Sequence, residues 1–318
     1  MNSNEKSTFS AARFIKEIGR GKNGARNMSR DDAHEVYAAM LQGNVSDLEL
    51  GAILLAMRIK GESVDEIAGF LDAADASFQH LTPPKGDYAP VVIPSYNGSR
   101  NMPNLTPLLA LMLAREGVPV LVHGVLHEPN RVTTAEIFQQ LGLPLAQTVQ
   151  EAEAQIVVGQ PAFMSIDLLS PRIAYLLSLR TILGVRSSTH TLVKLLQPFV
   201  TPALLLTSYT HPEYLEMLTS YFTIAAPAGR GDAFLMRGTE GESVANAKRA
   251  QQIDWFHRGE RTILVEKAQP NDVIPPLPAT NDAVTTASWI HDALAGNRPI
   301  PRPIEEQFKQ CFKISKMV

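Results

Sequence analysis

The chain has 318 residues, 45% of them hydrophobic and 19% charged, with a net charge of −3 and a pI near 6.3. That composition belongs to an ordinary globular protein with room for two domains, and it excludes a bulk polycation. A single cysteine, Cys311, excludes a disulfide framework or a cysteine metal cage; no apolar run reaches the ~18 residues of a membrane span, and the polar N-terminus is no signal peptide, so a cytoplasmic location is expected.

Along the chain, residues 1–30 are basic: Lys6, Arg13, Lys16, Arg20, Lys22, Arg26 and Arg30 stand against Glu5 and Glu17. A helix is predicted from Phe9 to Ile18, closed by the turn GRGKNG. SRDD at 29–32, SDLE at 46–49 and SVDE at 63–66 each put an acid three residues after a serine, the spacing that caps a helix start. Apolar residues follow at helical spacing, and Gly43 and Gly61 supply stops. The first third therefore reads as a helical domain.

TPPKGDYAP at 82–90 has the composition of a linker. Beyond it, short β-branched runs are predicted as strands: 91–93, 118–124, 155–159, 203–208, 222–227, 234–238 and 262–266. Predicted helices alternate with them, among them LTPLLALMLAREG, TTAEIFQQLG, YLLSLRTILG, HPEYLEMLTSYF and SVANAKRAQQIDWFHRG. The Pro-rich stretches at 270–278 and 299–303 read as surface loops. Such alternation predicts an α/β domain with a mostly parallel sheet.

Two stretches carry chemistry. VVIPSYNGSRNMPN, at 91–104, runs from strand through loop towards a helix start, where α/β proteins hold phosphates on outward-pointing amides. A phosphate cradle wants several glycines, and this loop has only Gly98. Secondly, no Asp or Glu occurs between Asp167 and Glu213, a stretch that carries Arg172, Arg180, Arg186 and Lys194 with His190 and His211. It reads either as a core segment short of acids or as a local anion-binding surface hidden by the total charge.

At this point the chain resembles a known family. NMSRDDAHEVYAAMLQGNVSDLELGAILLAMRIKGESVDEIAGFLDA looks like the helical start of anthranilate phosphoribosyltransferases and class II nucleoside phosphorylases. LGVRSSTHTLVKLLQP, at 183–198, follows their L-G-x-R-T-x-x-N-x-x-G-P-L-x-N-P, and VLVHG, at 120–124, falls on their V-A-K-H-G. The resemblance implies a small all-helical domain, from residues 1–85 with about 168–198, and a larger α/β domain, from 86–167 with about 199–318. It also implies a cleft between them and a homodimer through the helical domains.

The resemblance makes the departures legible. The family's diphosphate loop, G-T-G-G-D, is replaced by Pro94, Ser95, Tyr96, Asn97 and Gly98, while Asn104 falls on a family Asn and Thr106 on a Ser. Proline removes a donor and tyrosine blocks close approach of the backbone. The lysine of K-H-G becomes Val122, leaving His123 and Gly124, and the following Asn and Arg become Val125 and Leu126. His190 and the pair Val193–Lys194 replace a later Asn and Gly-Pro. The family's adjacent Asp–Glu pair, which holds magnesium, has no counterpart beyond the separated Glu240 and Glu242. A catalytic role, a metal and a cofactor are therefore not expected.

Arg180 and Arg186 match arginines of the family, and Lys194 adds a charge. A branch of the family lacking the phosphate loop is understood to bind nucleic acid with little sequence preference, and this sequence looks like that branch. The resemblance therefore implies binding of single- and double-stranded nucleic acid through Arg100, Arg172, Arg180, Arg186, Lys194, Arg230, Lys248 and Arg249, with Lys248–Arg249 expected on a helix. Tyr96 either stacks on a base or packs in its loop. Two other readings stand beside it: a transferase or phosphorylase with an altered phosphate site, using His123 as acid or base, and a binder of a small anion or nucleotide.

Overall fold

The computed structural model describes residues 9–21, 23–269 and 274–317; Lys6 and Lys22 of the basic N-terminal stretch and the first part of the Pro-rich 270–278 segment lie outside these. Four helices come first: α1 (Ala12–Ile18), α2 (Arg30–Gln42), α3 (Asp47–Lys60) and α4 (Val64–Asp75). Strands and helices then alternate through β1 (Val91–Ser95), α5 (Thr106–Arg115), β2 (Val120–Gly124), α6 (Thr134–Gln140), α7 (Val149–Val157), β3 (Ala162–Ser165) and α8 (Ile166–Leu169). Short helices α9 (Pro171–Ser178), α10 (Arg180–Leu183) and α11 (Thr189–Leu192) follow. The chain then continues as β4 (Ala203–Tyr209), α12 (Pro212–Ser220), β5 (Gly231–Arg237), β6 (Ile253–His257), β7 (Glu260–Val265), α13 (Ala283–Leu294) and α14 (Arg302–Ser315). No helix among the described residues is long and apolar enough to cross a membrane.

Two compact units result, one built from the chain up to Phe78 with Ser170–Leu196, the other from Gln79–Leu169 with Gln197 onward. In the helical unit the sequence's capping signals are met atom by atom. Ser29, Ser46 and Ser63 each accept the third amide of α2, α3 or α4, and Glu49 and Glu66 return the bond to complete capping boxes. Glu66 is fully buried. It accepts from Met28 N at 2.9 Å and from Lys60 Nζ at 2.6 Å, so the charge that caps α4 also ties down the segment before α2. Helices α2 and α4 approach closely because Gly69 faces α2: a Cβ there would lie 2.1 Å from the carbonyl oxygen of Arg30. Across that contact Arg30 grips Asp72 through two bonds of 2.6 and 2.9 Å.

The second unit is a seven-stranded sheet in the order β3-β2-β1-β4-β5-β6-β7. The first five strands pair parallel, and β6 and β7 add an antiparallel edge. Strands β1 and β2 are buried along their whole length, as the continuous apolar runs predict for a sheet covered on both faces. Leu108, Leu109 and Leu113 of α5, Phe138 of α6, Ile290 of α13 and Ile304 of α14 join one core with them. Cys311 of α14 is fully enclosed there, and burial pushes its thiol well up from the usual value.

Four sequence expectations change. The run at 155–159 is not a strand but the end of α7, whose buried residues Val149, Ala152 and Ile156 recur at helical spacing; the true strand is Ala162–Ser165. In place of a strand at 222–227, a π-helical turn (Tyr221–Ala225) extends α12, with Phe222 packed on Phe256 of β6 and Ile224 out in solvent. The segment around Lys248–Arg249 is a loop, because Asn246 Oδ1 captures the Lys248 amide and the Gln251 side chain holds Asn246 N and Arg237 O. The end of that same predicted helix is strand β6, Ile253–His257, because it pairs antiparallel with β5 and β7.

Replacing Gly69 by Ala should destabilise the helical unit. The gain of about 1 kcal/mol in helix propensity is smaller than the cost of a Cβ driven into Arg30 O, for which overpacking is of order 1–3 kcal/mol or more. A lowered denaturant midpoint with an unchanged slope is the expected result.

Candidate functional site

The stretch 91–104 lies in the α/β unit. Its first correction is local: Pro94 and Ser95 belong to strand β1, paired with His123 and Gly124 of β2, rather than to the loop. Pro94 is tolerated there because β1 pairs with β4 only through Val91 and Val92. Gly124 is demanded by the same contact, since a Cβ would lie 1.8 Å from Ser95 O.

Tyr96 does not face outward to stack on a base. Its ring is buried, and its hydroxyl lies 2.7 Å from His123 Nδ1. Burial, and then the charge of Asp167, raise its pKa well above the usual tyrosine value, so it stays neutral. His123 is itself fully buried, with that hydroxyl at its Nδ1. Asn104, also fully buried, donates to Thr134 Oγ1 at 3.0 Å and accepts the Thr106 amide at 3.1 Å, while Thr134 Oγ1 lies 2.7 Å from Ser95 Oγ. These polar residues hold β1, α5 and α6 together.

The outward amides of the loop are taken. Asn97 N and Gly98 N both donate to Glu242 Oε1, at 2.8 and 2.7 Å. Arg100 N and Asn101 N donate to Glu240 Oε2 and Oε1, at 2.7 and 2.8 Å. The two acids come from a tight turn in which Thr239 and Glu242 exchange 3.0 Å backbone bonds, with Glu240 at φ 54° and Gly241 at φ 98°. Glu242 is fully buried, and its Oε2 meets no donor among the described residues. Magnesium, which the family's acid pair would hold, does not fit: both oxygens of Glu240 and one of Glu242 are committed to amides, and no cluster of three or more His, Cys, Asp or Glu with metal-holding geometry occurs among the described residues.

The predicted cations divide between the units. Arg172, Arg180, Arg186 and Lys194 belong to the helical unit; Arg100, Arg230, Lys248 and Arg249 belong to the α/β unit. In the former, Arg180, Arg186 and Lys194 are half-buried, and the charge of each bears on His190 of α11. Burial, then Arg186 and Arg180, then Lys194, lower its pKa to about 4. Ser187 N donates to its Nδ1 at 3.2 Å, a bond only the unprotonated nitrogen accepts. Arg172 is exposed, its guanidinium against Gly43 at the C-terminal end of α2, where the helix dipole favours a cation. In the α/β unit Arg230 is engaged through a 2.8 Å bond to Gln197 O, whereas Arg100 and Lys248 are exposed and Arg249 is half-buried.

Comparison with known proteins follows the same lines. Residues 12–78 match the glycosyl transferase family, helical bundle domain. The chain is 45% identical over 301 residues to the "Uncharacterized protein YbiB" of Escherichia coli (strain K12), covering 94% of this chain and 92% of that one. It is 32% identical over 187 residues to anthranilate phosphoribosyltransferase 2 of Ralstonia nicotianae, a match that spans 58% of this chain and only about half (52%) of that enzyme. Anthranilate phosphoribosyltransferase (TrpD) from Thermus thermophilus has the same fold, with a TM-score of 0.71 at 20% identity over 96% of this chain and 89% of that one. The chain belongs to one family with the Escherichia coli protein, which it matches over nearly the whole of both chains, and it shares the fold of the anthranilate phosphoribosyltransferases.

What sequence reasoning missed is the role of Glu240 and Glu242, seen there only as a separated acid pair. The one local signal was the T-E-G-E turn itself, two acids astride a glycine.

His190 gives a measurable consequence. Its folded pKa lies below its unfolded value, so the folded state binds fewer protons between pH 6.5 and about 4. Its contribution is therefore intact above pH 6.5 and lost as pH falls towards 4, at most about 3 kcal/mol. An NMR titration of the imidazole should find the pKa near 4, and Arg186→Ala should raise it.

Proposed function

We propose that this protein binds nucleic acid through the phosphate backbone with little sequence preference, single- and double-stranded alike, using the cationic surface of its helical unit. The observation that carries this reading is a segment from 168 to 212 without a single acid, which places Arg172, Arg180, Arg186 and Lys194 in the helical unit. Cations in a segment with no acid of its own set up a local positive potential that the net charge of −3 conceals. Such a surface draws polyanions by counterion release, a force indifferent to base sequence. Arg100, Lys248 and Arg249 are secondary candidates in the other unit. Arg230 is a weaker candidate, because it spends a donor on Gln197.

Phosphoribosyl transfer is the competing reading, and the loop argues against it. A diphosphate would have to displace two carboxylates from the amides it needs. Within the proposal the protein is also a homodimer through its helical unit. Leu48, Leu55 and Ile59 of α3 are 85%, 45% and 67% exposed, and Leu55 and Ile59 border an apolar hollow of about 280 Å³ with Ile15 and Ile18.

Binding to oligonucleotides of unrelated sequence should fall steeply with salt. Arg186→Ala with Lys194→Ala should weaken it for all sequences and flatten the logarithmic salt slope by about two on duplex DNA. Unchanged binding would place the contact elsewhere; no binding by the wild type at low salt would overturn the reading and favour transferase assays. Leu55→Asp with Ile59→Asp should convert a dimer to a monomer in light scattering, and an unaltered mass would remove that surface from consideration.

A further inference from the structure

We propose that the Thr239–Glu242 turn is a built-in counter-anion. Glu240 and Glu242 act in cis as the ligand of the loop after β1, so the loop is closed by the chain itself and takes no phosphate-class oxyanion while the turn is in place. The proposal is independent of nucleic-acid binding and concerns the α/β unit alone.

Four amides of one short loop, those of Asn97, Gly98, Arg100 and Asn101, each reach a carboxylate oxygen at 2.7–2.8 Å. These are charge-assisted distances, and each acid bridges two donors as an oxyanion would. The turn is shaped for this. Glu240 adopts φ 54°, a left-handed conformation that side chains other than Asn, Asp and Gly seldom take. A glycine would adopt it without strain; what glutamate adds is the carboxylate that meets Arg100 and Asn101. Gly241 admits no side chain, since a Cβ would lie 2.3 Å from Asn97 Nδ2, which itself donates to Gly241 O at 2.9 Å.

Glu242 supplies the independent observation. It is fully buried, and its Oε2 meets no donor among the described residues. A carboxylate selected for its own solvation would not sit with one oxygen unserved; one that fills an existing nest of amides would. Arg131 closes the assembly. Its Nη1 donates to Gly98 O at 3.1 Å and to Glu240 O at 3.4 Å, and it lies 3.8 Å from Glu240 Oε2. It would remain as a cation beside the amides if the acids were gone.

The test uses the full-length protein, with inorganic pyrophosphate and sulfate as probes and chloride at matched ionic strength as control. The wild type should show no saturable heat of binding and no rise in melting temperature beyond chloride. Glu240→Ala with Glu242→Ala should melt lower, recover part of the loss in sulfate or pyrophosphate, and bind pyrophosphate roughly tenfold or more tightly than the wild type. Adding Arg131→Ala should diminish that rescue. Pyrophosphate binding by the wild type equal to that of the variant would overturn the proposal, as would a folded double variant indifferent to both anions. If the double variant does not fold, Glu240→Ala alone opens two of the four amides, and absence of anion rescue there overturns it equally.

Discussion

The carboxylate of Glu242, enclosed at the end of β1 and holding two backbone amides, is the constraint around which this end of the sheet is organised. Taking a charge out of water costs several kcal/mol unless strong donors replace the solvent. The amides of Asn97 and Gly98 are those donors, so loop and turn are each incomplete without the other. The same coupling fixes which neighbours are allowed. Gly98 sits at φ 60° with Val132 O 2.8 Å from where a Cβ would be, and Gly124 is pressed against Ser95 O. The polar chain from Ser95 through Thr134 to Asn104 then ties the loop to two helices.

The helical unit adds a second electrostatic device. There, apart from the buried Glu66 and its Lys60 partner, a histidine is half-enclosed under the charge of nearby cations, so the ring gives up its own charge. Each unit buries a carboxylate on backbone amides, Glu242 in one and Glu66 in the other, and the helical unit also holds a neutral ring under the charge of cations. These arrangements are invisible in a net charge of −3.

Much of the architecture could be read from residues alone because its causes are local. Ser29, Ser46 and Ser63 cap helices through bonds that span three positions, and the apolar runs of β1, β2 and β4 are long enough to mark buried strands. Where causes are not local the pattern misled. Val157 and Val158 look like strand residues, yet they end a helix and face solvent, because sheet formation depends on a neighbouring strand that sequence cannot supply. Tyr96 was legible as an obstacle to phosphate but not as the partner of His123, which lies 27 positions away. Glu242 lies 145 positions from the amide it holds, and no periodicity encodes such a pairing.

The enclosure of Cys311 has a practical consequence. A lone thiol with no exposed surface, held protonated by its apolar surroundings in α14, is shielded from alkylating reagents while the core is closed. Its labelling therefore requires an opening event, and in the limit of fast reclosing the labelling rate scales with the population of the open state. The α/β unit thus carries its own clock for core opening, readable by mass spectrometry without any engineered probe.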